Sequence, residues 1–188
     1  MENRLQEIIQ QAIENSCDSL PQETKHQIEE VLLRLFEKNG SPQKAFGVPD
    51  DVMENCYKKG YNLFKAGKYQ EAVKIFESLS YLNRADPRYS LATAASYHYL
   101  KDYSKAAANY ILCKESDPFS PIACFHLYDC LRKLDQPLLA VNAIAEVIVR
   151  CQDIPVYKEM KEKALLEKES LNRYLKEWLE AREEPLLK

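Results

Sequence analysis

Cys124, His126 and Cys130 are the residues whose types and spacing come nearest to metal chemistry. His126 and Cys130 lie at i and i+4, on one face of any helix built there, and such pairs bind zinc when a third and usually a fourth ligand join them. No CxxC pair or HxxxH partner accompanies them, and buried free cysteines are common in helical cores, so no metal and no cofactor is expected. The adjacent acids Asp50-Asp51 and Glu183-Glu184 fall in linker-like and tail-like sequence and read as solvated. A Gly-rich phosphate loop, a GxSxG elbow and an HExxH motif are all missing, so the sequence carries no catalytic signature. Binding chemistry is better represented. Tyr57, Tyr61 and Phe64 stand at i, i+4 and i+7 and share one stripe, with Leu91, Ala95 and His98 and then Ile122, Phe125, Asp129 and Arg132 in corresponding stripes further on. Apolar, aromatic stripes with a polar end suit an extended peptide with spaced hydrophobic anchors. The competing reading is that Tyr57 and Phe64 pack beneath the N-terminal helices.

The elements that position these stripes follow from a repeat. Gly60, Gly67, Tyr69, Ala72 and Phe76 mark a helix-turn-helix unit whose pattern returns 34 residues later with Ala94, Tyr103, Ala106 and Tyr110. It returns again, more weakly, with Pro137, Ala140 and Ile144. Ala72, Ala106 and Ala140 keep the register throughout. A period of 34 is that of the tetratricopeptide (TPR) unit, so the fold class is all-α, with three such units in a superhelix. The small residues mark close helix approach, with Phe76 and Tyr110 filling the remaining gap. In such a superhelix the stripes above line the concave groove.

The rest of the chain divides around the array. Residues 1–40 read as two N-terminal helices, with one stripe of Leu5, Ile8, Ile9, Ala12 and Ile13 and another including Ile28, Val31, Leu32, Leu35 and Phe36. Lys38-Asn39-Gly40 ends the second. Residues 41–52 read as a linker, because Pro42, Gly47 and Pro49 interrupt any periodicity, and Asp50 or Asp51 is expected to cap the next helix. The repeats span about 53–87, 88–120 and 121–154, with the first helix B almost a turn longer than standard. Residues 155–188 read as a long charged helix, carrying among others Tyr157, Met160, Ala164 and Leu171, that caps the array with a polar outer face.

Composition narrows the class. Hydrophobic content of 46% supports a buried core, and a net charge of −3 with both signs interspersed argues against a nucleic-acid footprint. The N-terminal stretch lacks a signal-peptide core, and no apolar run approaches the ~20 residues that cross a bilayer. The six cysteines are therefore expected as reduced thiols in a cytoplasm.

The segment from Gly60 to Tyr110 resembles the class II type III secretion chaperones, the SycD/LcrH type. The marks are the run Gly60-Tyr61-Asn62-Leu63-Phe64-Lys65-Ala66-Gly67-Lys68-Tyr69, the longer first helix B and the junction Asp86-Pro87-Arg88-Tyr89. The likeness covers about residues 20–155 and looks closest to members from chlamydia-like bacteria. It implies a non-enzymatic bacterial cytoplasmic chaperone that keeps hydrophobic, membrane-inserting translocator proteins soluble without inserting itself. Its groove residues would be Tyr57, Tyr61, Phe64, Leu91, Ala95, His98, Ile122 and Phe125, with Asp129 and Arg132 hydrogen-bonding the cargo backbone at one end. It also implies a homodimer, for which Leu5, Ile8, Ile9, Ala12, Ile28, Val31 and Leu35 are the interface candidates. The long C-terminal helix departs from the family. The alternative is a general TPR adaptor or scaffold, for example one docking a heat-shock protein tail. The carboxylate clamp of such modules is not matched, since Tyr57, Tyr61 and Ala92 stand where it needs charged or amide side chains.

Overall fold

The computed structural model describes residues 2–17, 19–36, 40–152 and 154–183, with side chains throughout except at 2–5, 15 and 181–183. The order is α1 (Glu2–Ser16), α2 (Gln22–Phe36), α3 (Pro42–Ala45), α4 (Asp50–Lys65), α5 (Tyr69–Leu82), α6 (Pro87–Tyr99), α7 (Tyr103–Ser116), α8 (Ile122–Lys133), α9 (Pro137–Cys151) and α10 (Lys158–Glu183), the last entered through a 3-10 turn at Pro155–Tyr157. Among the described residues there is no strand, and no helix is long and apolar enough to cross a membrane. Helices α4 to α9 pack in chain order, each on the next, and α10 packs on α9.

One backbone device makes the repeat. Gly67, Lys101 and Asp135, each 34 residues from the last, all adopt positive φ (76°, 61° and 53°). At each site the next residue's N–H reaches back to close a helix: Lys68 to the Leu63 carbonyl at 2.9 Å, Asp102 to Tyr97 at 3.0 Å and Gln136 to Leu131 at 3.0 Å. These bonds satisfy carbonyls that a helix C-terminus otherwise leaves open, and the left-handed residue reverses the chain into the next helix. The second helices of the second and third units are set up to start there. Asp102 accepts from the Lys105 N–H at 3.2 Å, and Pro137 sits at the first position of α9, where no N–H is needed.

Packing follows the small residues. Ala72, Ala94, Ala106 and Ala140 are wholly buried. One core gathers Met53, Ala72, Phe76, Leu79 and Tyr89, and a larger one runs from Val73 and Ala94 through α7, α8 and α9 to Ala164 and Leu171 of α10. The C-terminal helix thus enters the core on two of the positions its sparse apolar pattern marks.

Several local expectations change. The stretch before α4 is not featureless: Ser41 caps α3, and the buried Gln43 amide donates to Asp50 Oδ1 at 2.6 Å while accepting from Asn83 Nδ2 at 3.0 Å. Pro49 occupies the N-cap of α4, so Asp50 and Asp51 lie in its first turn instead, where their charge favours the helix dipole. Helices α5 and α7 are both 14 residues long, so the first helix B is no longer than the second. Pro121, at the N-cap of α8, is the counterpart of Pro87 at the shared period, and the turn around Pro118 is extra chain before it. Lys38 and Asn39 of the expected helix stop lie outside the described residues, as do Glu184 and the Glu183 side chain.

Candidate functional site: the concave groove

Helices α6 and α8 present their stripes toward a common open cavity of about 990 Å³. Leu91, Ala95 and His98 of α6 and Ile122, Phe125, Asp129 and Arg132 of α8 all line it. Seven of the ten sequence-derived groove residues are thereby brought together. The three from α4 are not part of this cavity. Tyr57 packs on Phe76 and Tyr89 at centroid distances of 5.6 and 5.9 Å, with the Arg88 guanidinium over its ring. It is held at the junction of the first and second units, between α5 and α6, and not under the N-terminal helices. Tyr61 is half exposed and stacks at 6.4 Å on Tyr57. Phe64 meets Tyr99 edge-on at 5.3 Å, and Tyr99 lines the cavity, so the first stripe abuts its edge.

The sequence did not single out Tyr99, Tyr103, Tyr110 or Tyr128 as groove-lining residues, nor Lys163 and Glu167. Tyr103 and Tyr110 carry a signal, since they repeat Tyr69 and Phe76 at the period, but it reads as packing. Lys163 and Glu167 come from α10, outside the repeat, and no pattern in the chain points to them.

The floor is polar in an ordered way. His98 Nε2 lies 3.0 Å from Asp129 Oδ2, joining α6 to α8, and its Nδ1 lies 3.6 Å from Cys130 Sγ. His126 stacks on Tyr110 at 5.4 Å. Desolvation by the groove wall, with His98 beside it, holds His126 below the ordinary imidazole range, so it is neutral at pH 7. Burial likewise pushes the Tyr110 hydroxyl up. The Tyr128 hydroxyl is pushed up to about 12, by burial and then by its 2.7 Å hydrogen bond to Glu167. Arg132 in turn donates to Tyr128 Oη at 3.1 Å. These side chains are fixed donors and acceptors, suited to orienting a ligand backbone.

Of the cysteine-histidine cluster, the two cysteines lie in the core while His126 faces the groove. Cys124 and Cys130 are fully buried, and burial pushes their thiols up to about 11 and about 12, so both are protonated at neutral pH. Among the described residues no group of three or more His, Cys, Asp or Glu side chains is placed to hold a metal ion.

Outside the groove, α1 packs on α2, with Gln10 Nε2 donating to Glu29 Oε1 at 2.9 Å. Ile9 and Ile13 are buried within the chain, Ile8 and Ala12 are exposed, and Ile28, Val31 and Leu35 are half-buried. The Leu5 side chain lies outside the described residues. The exposed apolar candidates on α1 are therefore Ile8 and Ala12, because Ile9 is already covered.

No family model matches the chain. Low calcium response locus protein H of Yersinia pseudotuberculosis is 26% identical over 113 residues, covering 60% of this chain and 67% of that protein. A type III secretion complex from Aeromonas hydrophila contains a chain with a TM-score of 0.71 at 25% identity, covering 76% of this chain and 95% of that one. PcrH, a Pseudomonas aeruginosa protein, solved with the chaperone binding region of PopD, gives a TM-score of 0.64 at 26% identity, covering 68% of this chain and 96% of that one. The sequence resemblance and the structural likeness thus converge on the class II type III secretion chaperones. The relatives named here come from Yersinia, Aeromonas and Pseudomonas.

Proposed function

We propose that this protein is a chaperone of the SycD and PcrH kind, which holds an extended hydrophobic segment of a type III secretion translocator in its concave groove before export. It acts in the bacterial cytoplasm by binding rather than by catalysis. The observation that carries this reading is the coincidence of two aligned stripes, from α6 and α8, in one open cavity. The fold around that cavity is one in which PcrH has been solved with the chaperone binding region of PopD, and SycD with a peptide of the translocator YopD. Leu91, Ala95, Ile122 and Phe125 supply apolar contact, and His98, Asp129 and Arg132 orient the segment. Tyr61 and Phe64 extend the path beyond the cavity, and Tyr57 supports them from its packed position. Masking apolar cargo surface of this kind suppresses the aggregation that exposed hydrophobic segments otherwise undergo. Free protein pairs through its N-terminal helices, with Ile8, Ala12, Ile28, Val31 and Leu35 as contacts.

The adaptor reading is weaker. Ala92, at a clamp position, packs against the first core cluster, and Tyr57 is held by Arg88. The test is co-expression with candidate translocators from the same genome. Wild-type chain retains a translocator in the soluble fraction and co-purifies with it, whereas Ile122→Asp combined with Phe125→Ala loses it while keeping its helical circular dichroism. Retention by the folded double variant overturns the groove reading.

A further inference from the structure

The groove differs in charge from the protein around it. The chain as a whole carries a net charge of −3. The cavity, by contrast, is lined by Lys101, Arg132, Lys133 and Lys163 against only Asp129 and Glu167. Both acids are engaged, Asp129 with His98 at 3.0 Å and Glu167 as acceptor of the Tyr128 hydroxyl at 2.7 Å. The cations are not neutralised: among the described residues none of the four has a carboxylate within ion-pair distance.

Two of these cations are set against apolar surface. Lys163 Nζ stands 5.1 Å from the Phe125 ring centroid. Arg132 lies over the rings of Tyr128 and Tyr174 at 6.0 and 5.9 Å. The hydrogen bonds from Tyr128 to Glu167 and from Tyr174 to Asp135 (2.9 Å) tie α10 to α8 and its turn, so Lys163 is delivered by a docked wall. From this placement we infer that α10 is part of the binding site as well as a cap. The groove selects extended segments in which an acidic side chain sits next to an apolar or aromatic anchor, the anchor on Phe125 and the carboxylate toward Lys163. An apolar segment without the acid leaves these cations facing it unpaired, while an alternating acidic-apolar one meets both surfaces. This inference rests on the groove reading and adds the chemistry of its occupant.

The probe is an oriented synthetic peptide library with free central positions, panned against full-length protein. Recovered peptides pair Leu, Ile or Phe with a neighbouring Asp or Glu. Replacing that Glu by Gln in the best peptide weakens binding at least about tenfold, the effect of one charge pair at an interface. Lys163→Glu, an exposed change that leaves the fold intact, shifts selection toward Lys and Arg, and Lys163→Arg keeps the original preference. Apolar peptides recovered without acidic enrichment, or a selection unmoved by Lys163→Glu, overturn the charge-reading proposal while leaving the groove in place. Recovery unaffected by Ile122→Asp locates binding elsewhere and overturns the groove reading itself.

Discussion

A methyl group on Gly60 would lie 2.7 Å from Cε1 of Phe76, so α4 and α5 approach as closely as their side chains allow. The ring cannot retreat freely, because Phe76 is buried and braced by Tyr57 at 5.6 Å. Overpacking of this kind costs about 1–3 kcal/mol, against a gain of about 1 kcal/mol from replacing glycine by alanine within a helix. Gly60→Ala is expected to lower unfolding free energy by about 1 kcal/mol, read from urea denaturation.

Lys101 gives the opposite sign. It holds φ at 61° in the turn where Gly67 serves the first unit. A non-glycine residue there costs about 1–2 kcal/mol, and glycine loses back about 0.5–1 kcal/mol in unfolded-state freedom. Lys101→Gly is expected to stabilise the fold by about 0.5–1 kcal/mol, raising the melting temperature by about 1–4 °C. Because Lys101 also lines the groove, its affinity for acidic peptides falls in the same variant.

The outer side of the array carries a pH-dependent lock. Glu146 on α9 accepts from Lys114 Nζ at 2.7 Å and from Arg150 at 2.6 Å, while Arg150 also donates to the Asp117 and Ser120 carbonyls at 3.1 Å. Burial pushes the Glu146 carboxyl up, but the two cations together outweigh it and hold the group below the usual carboxylate range. A depressed folded-state pKa contributes stability that is present above the unfolded value near 4.5 and lost as pH falls through the folded one. Melting temperature is therefore expected to fall on acidification below about pH 4.5, and Glu146→Gln to flatten that acid limb.

Most of the fold was legible because its signals are local and periodic. The spacing of Ala72, Ala106 and Ala140 reports close packing directly, and Pro87 and Pro137 mark helix starts through their missing N–H. Lys101 was not legible as a left-handed position, since lysine does not favour that conformation, and Asp135 carries only the weak signal of a type that tolerates it; Gly67, the first of the set, is the one glycine. The α6 and α8 stripes, expected from their register, line one cavity. Tyr57 lies outside that cavity, against Phe76 and Tyr89, because an aromatic at helical spacing reads the same whether it faces a cavity or a neighbouring helix. Lys163 and Glu167 belong to a helix outside the period, and only tertiary docking through Tyr128 and Tyr174 brings them to the site.

The central claim is that cargo lies along the groove and not on the outer faces. A photo-crosslinking amino acid placed at position 125 and, separately, at the exposed Tyr81 of α5 tests it in complexes formed with a translocator in cells. The account predicts crosslinks from position 125 to one short cargo segment, identified by mass spectrometry, and none from position 81. Crosslinks from position 81 with none from 125 would contradict it.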